Sequence, residues 1–150
     1  MSSIPNILLR KENAPTRQTQ NPVRKLAAAA VDAALDKKGL DVLVMDMDGV
    51  SGVADMFVVC TGESELQVKA IADEVVESIR EKYGEKPWHR EGLEHKQWIL
   101  LDYVDLVVHV FNRELRDFYS LERLWGDAPQ EGIGDEGTSA DIKLLHPEGA

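Results

Sequence analysis

The stretch Trp98-Ile-Leu-Leu-Asp-Tyr-Val-Asp-Leu-Val-Val-His-Val-Phe111, followed by Asn112-Arg-Glu-Leu-Arg-Asp-Phe-Tyr-Ser-Leu-Glu-Arg-Leu-Trp-Gly-Asp127, decides how the chain is read. Its first half is almost unbroken apolar sequence, interrupted at Asp102-Tyr103-Val104-Asp105, where a tight reversal fits. Two strands, Gln97 to Tyr103 and Asp105 to Phe111, pair as a hairpin. Apolar residues at both odd and even positions imply strands covered on both faces. Asn112 has the chemistry of a helix N-cap. Behind it Leu115, Phe118, Tyr119, Glu122 and Trp125 fall at helical spacing, with Gly126 as the stop.

Upstream, Asn21-Pro22 reads as an N-cap with proline in the first turn of a helix, Val23 to Lys37, that ends at Lys37-Lys38-Gly39. Leu26, Ala30, Ala33 and Leu35 give it a thin apolar face. Strands follow at Leu40 to Asp48 and Ala54 to Thr61. The turn between them is too short for a helical crossover, so they are expected to be antiparallel. Ser64-Glu65-Leu66-Gln67 has the form of a capping box. Val68, Ile71, Ala72, Val75, Ile79 and Tyr83 mark a long amphipathic helix stopped by Gly84. Residues 85–96 read as loop with one short strand near Trp88. The order implies an α/β domain, a mixed sheet with helices on both faces.

The chain has 150 residues, 43% of them hydrophobic, which suits one domain over 21–128. Residues 1–20 read as a disordered arm and 129–150 as an acidic flexible tail. The arm is basic and nearly free of acids, a weak match to a targeting peptide. No apolar run is long enough to span a bilayer. Cys60 is the only cysteine, which fits a reducing, cytoplasmic setting and a buried small hydrophobe. The net charge of -10 argues against binding DNA or bare RNA.

Chemistry-bearing residues are few. Val-Met-Asp-Met-Asp-Gly-Val, residues 44–50, resembles the first motif of magnesium-dependent haloacid dehalogenase-like phosphatases, with Asp46 as nucleophile and Asp48 as acid/base. That reaction needs a parallel sheet and a charge-neutralising lysine, which the order of elements does not supply. The simpler reading ends a strand in a turn. Thr61-Gly62-Glu63-Ser64 reads as a helix cap rather than a phosphate cradle, because Glu63 repels phosphate. His89 and His95, near Glu91 and Glu94, lack the spacing of a metal site. His109 has no nucleophile beside it. The sequence therefore assembles no catalytic residues, no metal ligands and no cofactor site. Trp98, Tyr103, Tyr119 and Trp125, placed among charges, are candidate interface anchors.

Taken together, Asp55-Met-Phe-Val-Val-Cys-Thr-Gly62, Gln67-Val-Lys-Ala-Ile-Ala-Asp73, Glu91-Gly92, Trp98 to Tyr103, Asp105 to Phe111 and Arg116 to Asp127 resemble the ribosomal silencing factors, or Iojap-like proteins, across residues 23–128. The resemblance implies a nucleotidyltransferase-like fold without catalytic carboxylates. It implies binding to the large ribosomal subunit through its protein fourteen, which blocks joining of the small subunit and represses translation, and it suggests a homodimer. Carried over as partner-binding residues are Trp98, Leu101, Asp102, Tyr103 and His109. The alternative is an enzyme, a phosphatase or a nucleotidyltransferase. Two departures stand out. Val104 occupies a turn position where the family usually has glycine, so strain is expected there. Trp88-His89-Arg90 replaces the usual apolar-glycine pattern.

Overall fold

The computed structural model describes residues 21–50, 52 and 54–147. A six-stranded mixed sheet forms its centre. The elements are α1 (Val23–Asp36), β1 (Leu40–Asp46), β2 (Met56–Gly62), α2 (Glu65–Tyr83), β3 (His89–Glu91), β4 (Trp98–Asp102), β5 (Leu106–Asn112), α3 (Arg113–Tyr119), α4 (Leu121–Leu124) and β6 (Gln130–Ile133). Short 3-10 turns at Ser139–Asp141 and Lys143–Leu145 follow. Across the sheet the order is β3-β4-β5-β2-β1-β6. β1 and β2 are antiparallel, as the short connection requires. Only β2 and β5 run parallel, Met56 opposite Leu106 through Gly62 opposite Asn112.

Two cores sandwich the sheet. On one face Val58, Cys60, Ile99, Leu101, Val108 and Val110 pack against α1 and α2. On the other, Met45, Phe57, Val59, Trp98, Leu100, Val107 and Phe111 pack beneath α3 and α4. Strand alternation produces this division. It also explains why β2 is buried at every residue. In α1 the alanines at 27, 29, 30, 33 and 34 are buried together with Leu26 and Val31. The apolar face is therefore broad rather than thin, because side chains of one carbon let the helix lie close to α2 and the sheet.

Several local expectations change. Pro22, not Asn21, is the N-cap residue of α1, and it makes no side-chain capping bond. Asn21 instead donates from Nδ2 to the Tyr83 carbonyl at 3.4 Å and to Glu85 at 3.0 Å, clipping the entry of the domain to the end of α2. At the other end of α1, Lys38 takes the left-handed conformation at φ 66°. Lys38 N–H then donates to Leu35 O, and Gly39 N–H donates to Ala34 O at 2.8 Å. This is a Schellman closure. Glycine is needed one place later, where a Cβ would lie 2.9 Å from the Ala34 oxygen.

The helix behind β5 also differs. Asn112 caps it as expected, accepting from Leu115 N–H at 2.8 Å. But Ser120 adopts φ 46° and breaks the segment into α3 and α4, which ends at Leu124 with Trp125, not Gly126, at its C-cap. Residues 130–145 do not form the mobile tail expected from their acids and glycines. Gln130–Ile133 pairs with β1, Val42 opposite Ile133. Ile142 and Leu145 are buried in the α1/α2 core. Glu131 accepts from Lys143 N–H and Leu144 N–H, and Asp32 accepts from Ser139, so acids that look solvated in the sequence are tethers. The basic arm, residues 1–20, lies outside the described residues.

Candidate functional site

β4, β5 and the turn between them carry the residues singled out for partner binding, and strand alternation separates those residues. Trp98 and His109 sit on the α3/α4 face, while Leu101 and Tyr103 belong to the α1/α2 core. The opposite placement of Trp98 and Tyr103 follows from strand parity. All are buried in the isolated chain: Trp98 is 8% exposed, Leu101 1%, Asp102 0%, Tyr103 2% and His109 0%. None of them is a surface group, and Asp102 presents no charge to solvent.

Trp98 and His109 are joined directly. Trp98 Nε1–H donates to His109 Nδ1 at 3.2 Å, diagonally across the β4–β5 ladder. That bond leaves the His109 proton on Nε2 in the neutral ring, and among the described residues Nε2 has no hydrogen-bond partner. Burial, aided by the nearby positive Arg116, pushes His109 down to about 3. The ring is therefore neutral, a packing and acceptor group rather than a charged one. Around it runs an aromatic chain. Phe57 meets His109 edge-on at 4.5 Å and Trp125 at 5.4 Å. Trp98 lies 4.5 Å from Phe111 and 4.7 Å from Tyr119, which in turn meets Phe118 at 5.0 Å.

The chain surfaces at its end. Phe118 is 74% exposed, and Leu124 on α4 is 62% exposed. Phe118 entered the sequence reading only as a helix-face residue. Within α3, Leu115 and Tyr119 pack against the core and leave Phe118 outside.

At the β4–β5 turn Val104 has φ 75°. Asp105 N–H donates to Tyr103 O at 2.9 Å, closing a γ-turn. The Asp102 carboxylate accepts from Val104 N–H at 2.7 Å, and Tyr103 N–H donates to Leu106 O at 2.7 Å. The turn keeps the geometry a glycine would take, with valine bearing a strain of about 1–3 kcal/mol. Asp105 O also accepts from Asp55 N–H and Met56 N–H, tying the turn to β2. The Tyr103 hydroxyl, buried and without a hydrogen-bond partner among the described residues, is held above its usual range by burial.

A second polar cluster, not foreseen in the sequence, lies where β2 and β5 end. Arg116 is 6% exposed; its Nη1 donates to Thr61 Oγ1 at 2.9 Å and to Asp41 O at 3.0 Å, and its Nε faces Glu122 at 3.4 Å. Asp41 turns its carbonyl inward through a bulge in β1, at φ 49°. Thr61 is thus committed to Arg116.

The phosphatase-like residues are spread out. Asp46 accepts from Asp48 N–H at 3.2 Å, a turn contact, and pairs with Arg24 at 3.7 Å. Ser64 caps α2 by accepting from Gln67 N–H, but Gln67 accepts from Glu63 N–H rather than from Ser64. The Gln67 amide also donates to Lys37 O and Lys38 O, binding the start of α2 to the end of α1. His89 pairs with Glu91 at 2.9 Å. Among the described residues no three ligating side chains gather as for a metal. Burial raises the Cys60 thiol to about 12, only partly offset by Arg116, so it is a core group. Among the described residues no helix is long and apolar enough to cross a membrane.

The family described as "Ribosomal silencing factor during starvation" matches residues 20–147. The ribosomal silencing factor of Bacillus subtilis is 46% identical over 110 residues, covering 73% of this chain and 90% of its own length. The chloroplastic protein Iojap of Arabidopsis thaliana is 30% identical over 118 residues, 77% of this chain and 49% of that protein. A crystal structure of a Chromobacterium violaceum protein superposes with a TM-score of 0.68 at 33% identity, covering 79% of this chain and 96% of its own. A match that begins one residue before the described part and ends with it, carrying both the buried β4–β5 hairpin and the α3–α4 segment, places this chain in the ribosomal silencing factor family.

Proposed function

We propose that this chain represses translation by binding the large ribosomal subunit through its protein fourteen, where its bulk stops the small subunit from joining. It acts in the cytoplasm and needs no cofactor. The observation that carries the reading is the family match over residues 20–147. Two physical features support it. A net charge of -10 disfavours adsorption to bare RNA and favours a basic protein surface. The conspicuous Asp46 and Asp48 are held in a strand-end turn rather than set for phosphoryl transfer.

In this reading Trp98, Leu101, Asp102, Tyr103 and His109 serve the partner surface from beneath. Trp98 carries Tyr119, and Tyr119 carries the exposed Phe118. The contacting groups are then Phe118 and Leu124, with Trp98 and His109 fixing their seat. The paired substitutions Phe118→Ala and Trp98→Ala test this. Phe118→Ala should leave the melting temperature nearly unchanged and weaken large-subunit binding by about 2 kcal/mol if it is an anchor. Trp98→Ala should lower stability by about 3–5 kcal/mol, since it empties a core position. Full binding and full inhibition of subunit joining by Phe118→Ala would move the contact surface elsewhere on the molecule.

A further inference from the structure

β2 and β5 are parallel neighbours, and the helices that follow them leave on opposite faces, α2 to one core and α3 to the other. In open α/β sheets, crevices at the carboxyl ends of such a strand pair are where ligands bind. A cavity of about 310 Å³ lies on the β1 side of that strand pair, bounded by α3, Glu122 of α4, the bulged start of β1 and the edge strand β6, and Arg116 in its wall reaches the end of β2 through Thr61. Its size suits a small ligand.

The wall is chemically specific. Arg116, nine-tenths buried, spends Nη1 on Thr61 and Asp41 and Nε on Glu122. Its Nη2 makes no hydrogen bond among the described residues and is not sealed from solvent, so its N–H groups face the cavity. On the rim Asp117 is 68% exposed and is engaged only through Oδ1, at 3.7 Å from Arg113. Arg113 itself is held by Asp41 at 2.6 Å. Leu43 and Ile133 supply apolar wall.

A simple anion meets Asp41, Asp117 and Glu122 here; a simple cation meets the buried Arg116. A ligand that bears both charges a few bonds apart satisfies both. We propose that this cavity binds a free α-amino acid, its carboxylate on Arg116 Nη2, its ammonium beside Asp117 and its side chain against Leu43 and Ile133. Amino-acid binding here does not rest on the proposed ribosome contact, although Asp117 directly precedes Phe118 on α3.

The test is calorimetry and thermal denaturation of the full-length protein with each of the common amino acids, and with acetate, inorganic phosphate and ethylamine as single-charge probes. At least one amino acid should bind saturably and raise the melting temperature, and the single-charge probes should not. Two variants locate the site. Gly132 lines the cavity, and a Cβ there meets nothing closer than 3.6 Å, so Gly132→Met fills the space without forcing the backbone. Asp117→Asn removes the charge from an exposed side chain. Each should weaken binding at least tenfold, with the variant's own melt near that of the parent. Absence of binding by every amino acid at about 10 mM would overturn the proposal. So would binding that both folded variants retain, or acetate or phosphate binding as well as the amino acid does.

Discussion

His109 is held neutral by its burial, and that has a measurable consequence. Its folded value, about 3, lies below the ordinary 6.5. As pH falls through 6.5 the unfolded chain takes up the proton first, so the contribution of this residue to stability is complete above that pH and declines below it. The loss is about 1.4 kcal/mol per pH unit down to the folded value. Urea denaturation at pH 7 and pH 5 should therefore show a drop of about 2 kcal/mol that is absent in His109→Leu, once the loss common to both pH values is subtracted. An equal pH dependence in parent and variant would mean the histidine protonates in place. The same residue shows what sequence hides. A histidine between valines reads as buried, but its bond to Trp98 spans two strands and depends on register.

At the scale of elements, the turn from β3 into β4 rests on Gly92. It has φ 84°, and a Cβ there would lie 1.8 Å from the Trp98 carbonyl oxygen. Lys96 N–H closes the loop onto Gly92 O at 3.0 Å. Gly92→Ala should cost about 3 kcal/mol or more, since it adds a clash to a left-handed backbone. Gly84, also at positive φ but with open space around it, should cost only about 1 kcal/mol on the same change. Comparison of the two melting temperatures separates clash from conformation. Truncation after Ala128 is a second element-scale test. It removes β6, exposes an edge of β1 and takes Ile142 and Leu145 from the core. The melting temperature should fall markedly; an unchanged melt would show that the segment adds nothing to the fold.

These elements also mark what was legible. The hairpin, the cap at Asn112, the long α2 and the antiparallel β1–β2 pair follow from local periodicity and turn chemistry, and they hold. Three features that depend on distant partners were not legible. β6 is short and glycine-bearing, and only its pairing with β1 makes it a strand. Ser120 breaks a helix whose apolar period runs on. Arg116 reads as one more charge on a helix, yet it is buried because Thr61 and the bulged Asp41 meet it. The residues expected to bind a partner lie on strands whose unbroken apolar pattern already implied cover on both faces, and that cover leaves no surface for Trp98 or Tyr103. The positive φ at Val104 was anticipated from the resemblance, which puts glycine at that turn position, and the Asp102 carboxylate explains how it is held.

At the scale of the whole molecule, the proposed protein partner draws on the net charge of -10 and on the exposed Phe118 and Leu124. Self-association belongs to the same scale. We propose a homodimer, for β3 and β6 are both open sheet edges and Phe118 and Leu124 are uncovered. Sedimentation should show a concentration-dependent dimer, and added large subunit should convert it to a bound form; a monomer at every concentration would remove the idea. The central claim is repression by blocking subunit joining. Its most direct measurement mixes purified large subunits with this protein, adds small subunits, and follows the joined ribosome by light scattering. The account predicts that joining falls in proportion to the occupied large subunits, and that Phe118→Ala restores it while remaining folded. Undiminished joining with the large subunit saturated by the protein would contradict it.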